Sequence, residues 1–493
     1  MHIPHSRIRT LVHAPPRPTG RHVLVYMVAT RRLSYTYTVQ RGVALAREHG
    51  VPLVILEALR CGYRHASDRH HAFILDGMAE HARRLAGTPV LYHPWVEPRP
   101  GAGRGLLEAW ARNAVAVVTD DWPGFFIPNM LTAAARQVHC AFEAVDSAGL
   151  LPLSASPRPF KRAVDFRRFF QKAARPHLAQ PPVPDPIALL PTHHPRLHRI
   201  PSAIAARWPP APPALLDARP DALAALPIDH TVAPADLRGG TTVARRLWRR
   251  FRQTHLRAYT SGTRTMSADR TSGLSPYLHH GHISVHELVA DIAAQSGPLP
   301  PPTTTATGKR HGWWGQDDDV EAFLDQVVTW RELALHHAHH VPDGARYETL
   351  PAWARATLED HATDPRPVLL TLDQLTHGGS PDPVWNAAQH QLVRHGRIQS
   401  YLRMVWGKRI LEWTPSPRDA LRTLFQLNDR FALDGRDPSS VANLMWVLGR
   451  FDRAWGPERP IFGKLRFMSS TNTLRKLRCS PAAIRAWTPT PGS

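Results

Sequence analysis

Cysteine is nearly absent from this 493-residue chain. Cys61, Cys140 and Cys479 stand far apart, and no short spacing frames a zinc site, an iron–sulfur cluster or a disulfide scaffold. A reducing compartment is expected. Long apolar runs are missing as well: none approaches the roughly 20 residues of a membrane helix, and the opening MHIPHSRIRT lacks the apolar segment of a signal peptide. The expectation is a soluble cytoplasmic protein without a membrane partner. Acidic residues are few, 40 Asp+Glu against 61 Lys+Arg, which leaves a net charge of +21. Such an excess favours a polyanionic partner, with an arginine-rich solvated surface as the plainer alternative. No GxGxxG follows the first apolar run, so no dinucleotide fingerprint is present.

What is present divides the chain in two. HVLVYMVA (22–29), PLVILEA (52–58), PVLYH (89–93), AVAVVTD (114–120) and CAFEAVD (140–146) are short β-branched runs, and stretches of helical period such as HHAFILDGMAEHARRLA (70–86) alternate with them. That alternation predicts an α/β, Rossmann-like domain over 20–155, with a parallel sheet covered by helices on both faces. Residues 156–238 are rich in proline and alanine and read as an interdomain linker. From 239 to 485 the pattern is helical, giving an all-α second domain.

The helical half carries the specific signals. RTSGLSPYLHHGHIS (270–284) offers hydroxyls, a glycine and a proline at a helix start, a set that suits a phosphate; taken alone, SGLS reads as an ordinary cap. Further on come WRELA (330–334), DPVWNAAQ (382–389), RMVWGKRILEWT (403–414), LNDRFALDGRDP (427–438) and ERPIFGKLRFMS (458–469). Trp406 and Trp413 are two helical turns apart, on one face at roughly 10 Å. Trp385 stands 21 residues before Trp406 and needs a chain reversal to approach it; RHGR (394–397) supplies one, with glycine just past a helix end. In isolation, RFALDGRDP reads as a turn stabilised by surface charges.

In order and spacing these stretches resemble the photolyase and cryptochrome flavoprotein family, specifically the class II cyclobutane pyrimidine dimer photolyases. The likeness is strong over 239–477. Before that it is thinner, resting on the α/β pattern, ASDRHHAFILDGM, VVTDDWP and EAVDSAGLLP. The resemblance implies light-dependent DNA repair by a monomeric, nucleoid-associated lyase that splits cyclobutane dimers with an electron from FAD. It implies an FAD site made by Tyr259, Thr271, Ser272, Gly273, Leu274, Ser275, Arg403, Asn428, Asp434 and Asp437. Asn428 would face flavin N5, where an amide can both accept and donate, and Arg403 would keep Asp434 ionised. Trp385, Trp406 and Trp413 would form an electron-transfer row that reaches the surface at Trp413. Glu332, with Asn428 and Trp446, would serve the chemistry: the carboxyl group as a hydrogen-bonding partner of the dimer, the tryptophan as its stacking surface. Arg331, Trp446, Lys464 and Arg466 would contact DNA containing pyrimidine dimers. LRKLR (474–478) would be a phosphate contact or a basic helix end. A cryptochrome-like photoreceptor signalling through a protein partner is the alternative, and retention of Glu332, Trp446 and Arg466 favours repair.

There are departures from the family pattern. His336, His337, His339 and His340 follow the glutamate where asparagine and aromatic residues are usual, and they are expected to flank the DNA face rather than bind metal. Gln399, Ser400 and Val405 replace a usual histidine, glycine and tyrosine, and SSVANLMW replaces a glycine–tyrosine pair before its tryptophan. LSYTYTVQ lacks the family's asparagine–tryptophan pattern, which leaves an antenna chromophore, deazaflavin or folate, open.

Overall fold

The computed structural model describes residues 2–263 and 270–477. The chain separates into two compact units, one formed by Met1–Pro157, Phe170–Trp248 and Leu274–Thr303, the other by Arg158–Phe169, Arg249–Gly273 and Thr304–Ser493.

The first unit is built on a six-stranded sheet of β1 (Ile8–Val12), β2 (His22–Met27), β3 (Leu53–Leu59), β4 (Val90–Val96), β5 (Ala114–Asp120) and β6 (Ala141–Val145), in the order β1-β6-β5-β2-β3-β4. Every pairing is parallel except β1 with β6. Because successive side chains point to opposite faces, Val23, Val25 and Met27 of β2 pack with Val43 and Leu45 of helix α1 (Tyr37–His49). Leu24 joins Trp110, Val117 and Phe142 on the other face. Both faces are covered, which is why these strands read as unbroken apolar runs. The edge strand β1 went unread in the sequence pattern. Its residues are half-buried or exposed and show no apolar run.

The proline-rich segment 156–238 is more than a connector. Prolines open short helices at Pro213–Leu216 and Pro220–Ala224, and the leucines between them, Leu215, Leu216, Leu223 and Leu226, are buried against Leu75 and Met78 of α2 (Asp68–Leu85). Residues 274–303, expected in the helical domain, belong to the α/β unit. There Tyr277 donates its hydroxyl proton to the Arg238 carbonyl at 2.7 Å, and the His286 ring lies 3.1 Å from the Gly149 carbonyl.

Strand order reverses between β2 and β5, the crevice where open α/β sheets bind ligands. Here the chain fills that position itself. Asp120, at the end of β5, accepts the N–H groups of Val28, Ala29 and Thr30 at 2.9, 2.9 and 3.1 Å. It also takes the hydroxyls of Thr38, at 2.8 Å, and Thr30. Replacing Asp120 by alanine takes the acceptor from five donors, four of them buried, so unfolding stability is expected to drop by about 3 kcal/mol. Urea denaturation of the Asp120→Ala protein measures it, and an unchanged midpoint would mean the loop finds other acceptors.

Candidate functional site

The motifs of the second unit converge on a small set of helices: α3 (Arg331–His340), α4 (Pro383–His395), α5 (Ser400–Trp413), α6 (Pro417–Phe431), α7 (Pro438–Val447) and α8 (Ser470–Leu477). LDGRDP does not lie on the surface. Asp434, Arg436 and Asp437 are all buried. Asp434 receives a bidentate fork from Arg403 of α5, Nη2 to Oδ1 at 2.8 Å and Nη1 to Oδ2 at 3.2 Å. Two opposite charges can share so dry a place because each satisfies the other in fixed geometry. The turn is held by Asp429, which accepts the Arg436 N–H at 3.1 Å, and by Asp437, whose carboxylate caps α7 at the Ser439 N–H at 2.7 Å. Asn428, also buried, donates through Nδ2 to Asp429 at 2.9 Å and to the Ser440 hydroxyl at 3.0 Å.

The expected reversal before α5 is present. Gly396 ends α4 in the left-handed conformation, at φ 68°. The tryptophan order differs from expectation, however. Trp385 lies between its partners, parallel to Trp406 with centroids 6.4 Å apart and edge-on to Trp413 at 5.4 Å. The row therefore runs Trp406, Trp385, Trp413. Its indoles are anchored: Trp385 donates to the Trp406 carbonyl and Trp406 to Gln389, both at 2.9 Å. Trp413 was expected at the surface. It is only 3% exposed, enclosed under the Arg409 guanidinium 5.9 Å from its ring centroid.

Other expected residues scatter. Tyr259 is half-buried edge-on to Phe323 at 5.6 Å, and Thr271, Ser272 and Gly273 are half-buried, with Gly273 at φ 64°. Leu274 and Ser275 fall in the α/β unit, and the helix they open, Ser275–His279, is five residues long. Glu332 is fully enclosed, with an oxygen 3.8 Å from His336 Nε2. Arg331 is buried as well. Both follow directly on a π-helical turn, Asp325–Trp330. His336 is buried too, while His337, His339 and His340 are half-exposed; no cluster fit for a metal occurs among the described residues.

Trp446 is half-buried and set among cations. The Arg466 guanidinium lies 5.6 Å from its ring centroid and 4.1 Å from that of Trp455, while Asp452 takes Arg466 Nε at 3.1 Å. Lys464 is exposed and pairs with Glu458 at 3.0 Å. In the terminal LRKLR, Arg475 and Lys476 are exposed and Arg478 lies outside the described residues. One residue escaped the sequence reading. Lys408 of α5 is fully enclosed, donates to the Val447 carbonyl at 2.5 Å and sits 5.3 Å from the Trp446 ring centroid.

No protein-family model matches the chain. The deoxyribodipyrimidine photo-lyase of Methanothermobacter thermautotrophicus is 30% identical over 474 residues, covering 96% of this chain and 96% of the relative. The protein of the same name from Potorous tridactylus is 30% identical over 442 residues, 88% of this chain and 75% of the relative. A crystal structure of a bacterial class III photolyase from Agrobacterium tumefaciens shares the fold, with a TM-score of 0.68 at 17% identity over 95% of this chain and 86% of that one. The chain belongs to the photolyase/cryptochrome family.

The buried pair generates a stability prediction. Arg403→Leu strands the Asp434 charge and is expected to cost about 3 to 5 kcal/mol, whereas the double replacement Arg403→Leu with Asp434→Leu costs much less because no lone charge remains. Urea unfolding followed by tryptophan fluorescence compares the two. Equal losses would show that the pair is not desolvated.

Proposed function

We propose that this chain is a light-dependent DNA repair enzyme, a deoxyribodipyrimidine photolyase of class II type that uses FAD to split cyclobutane pyrimidine dimers. The observation that carries the reading is the enclosed Arg403–Asp434 pair next to the Asn428 turn, on the same helix as Trp406. The donor set suits a flavin. Arg403 Nε and the Ser439 hydroxyl are buried without a hydrogen-bond partner among the described residues, polar groups that a carbonyl- and nitrogen-rich ring can satisfy. Arg403, Asn428 and Asp434 would hold the ring, with Tyr259, Thr271, Ser272 and Asp437 completing the site. The chemistry FAD supplies when bound is light-driven donation of one electron, returned after the two carbon–carbon bonds of the cyclobutane have broken, with no net redox change.

The chain's own residues then divide the work. Asn428 offers an amide that can accept or donate at the ring edge, and Asp434, held by the Arg403 fork, fixes the polarity on one side. Trp406, Trp385 and Trp413 provide adjoining indoles for recharging a spent cofactor from outside the site. Trp446 gives the dimer a flat surface, and Glu332 a carboxyl group for its carbonyl as charge arrives there. Arg466 and Lys464 meet the opened duplex, where phosphates reward positive charge.

Purified protein is expected to be yellow and to repair an oligonucleotide carrying one cyclobutane thymine dimer under blue light. A colourless protein with an intact helical spectrum would end the flavin assignment. A yellow one that repairs nothing would favour a photoreceptor. Trp406→Phe is expected to abolish photoreduction of oxidised flavin while sparing repair by flavin reduced chemically. Photoreduction at the wild-type rate would place the electron route elsewhere.

A further inference from the structure

Lys408 has no part in the site described above, yet its surroundings are unusual for a lysine. It lies on α5 five residues after Arg403, with no exposed surface to speak of, among Trp406, Gly407, Ile410 and Leu411 of its own helix. Its ammonium donates to the Val447 carbonyl, in the last turn of α7, one residue past Trp446. Its ammonium stands 5.3 Å from the Trp446 ring centroid. Gly407 beside it is the residue that lets the helices come this close, since a Cβ there would meet Val447 at 2.5 Å.

We propose that Lys408 is a positioning residue for repair: held beneath Trp446, its ammonium acts through that ring to stabilise the negative charge that reaches a dimer stacked on it. The inference rests on the repair reading above. A cation in a dry place acts over longer range than one in water, and it costs no reorganisation when charge appears. A merely structural role is also written in the same geometry, because a lysine at a helix C-terminus caps its carbonyls. The two roles part company over protonation. Burial lowers Lys408 to about 7, Asp452 resists that loss of charge and Arg466 promotes it. Asp452 and Arg466 both lie on the segment after α7 and are themselves paired. The ammonium is therefore present below neutral pH and lost as pH rises through about 7. Arginine at this position keeps its charge throughout.

The test uses the full-length protein loaded with FAD and reduced chemically, so that the tryptophan row is not in play, with the thymine-dimer oligonucleotide at saturation. Repair per absorbed photon is read from about pH 5.5 to about pH 9 in the wild type, Lys408→Arg and Lys408→Met. Wild-type yield is expected to fall by about two- to fivefold through neutrality, Lys408→Arg to stay high and flat, and Lys408→Met to stay low and flat. A wild-type profile that Lys408→Arg reproduces overturns the proposal. So does Lys408→Met retaining the wild-type profile, which leaves the residue as a helix cap alone. Should Lys408→Met fail to hold flavin, the comparison of wild type with Lys408→Arg decides. Absence of repair by the flavin-loaded wild type at every pH overturns the repair reading and this role together, an outcome distinct from normal repair with unchanged profiles.

Discussion

The helical unit is organised by one desolvated ion pair, Arg403 with Asp434. Neither charge could stay in so dry a place alone, so the segments that carry them must meet in one arrangement. The turn after α6 brings Asp434, and its neighbour Leu433 donates its N–H to the Gly396 carbonyl at 2.9 Å. Gly396 is the left-handed residue where the chain doubles back between α4 and α5. The contact network that seats the carboxylate therefore also sets the reversal that lays Trp385 between Trp406 and Trp413. The proposed flavin site and the tryptophan row share a single structural constraint.

A second organising feature is the alternation of cations and indoles beyond α7. Lys408, Trp446, Arg466, Trp455 and Arg453 form a ladder, with Arg453 4.0 Å from the Trp455 centroid. It leads from a fully enclosed ammonium to an exposed guanidinium. Such a gradient suits a face that meets phosphates outside and a flipped base pair inside. Some of the arginines serve other ends. Arg7, Arg32, Arg403, Arg436 and Arg450 are buried and hold backbone carbonyls or carboxylates.

The α/β unit shows the same economy in another form. Its strand-order reversal makes the crevice where ligands bind in related architectures, and Asp120 closes the centre of that crevice with five hydrogen bonds from the loop after β2 and from Thr38. The missing GxGxxG has a structural counterpart here, since the amides such a motif would offer a phosphate are already taken by the chain's own carboxylate.

The sequence by itself determined what depends on local period and on side-chain type. The parallel strands and their helices were legible as alternating apolar patterns, and Arg403, Asn428, Asp434 and the three tryptophans were legible as motifs at compatible spacing. Gly396 was legible because a left-handed residue past a helix end favours glycine. Only the tertiary structure decided which faces are covered and by what. It buried Arg331 and enclosed Glu332, directly after a π-turn that no local pattern announces. It put Trp385 in the middle of its row, drew the leucines of a proline-rich stretch into a core, and hid Lys408 behind Trp446. The physical reason is common to all of these. Periodicity reports which side of an element is apolar, but the fate of a charged or aromatic group depends on partners brought from distant parts of the chain, and those are fixed only when the helices pack.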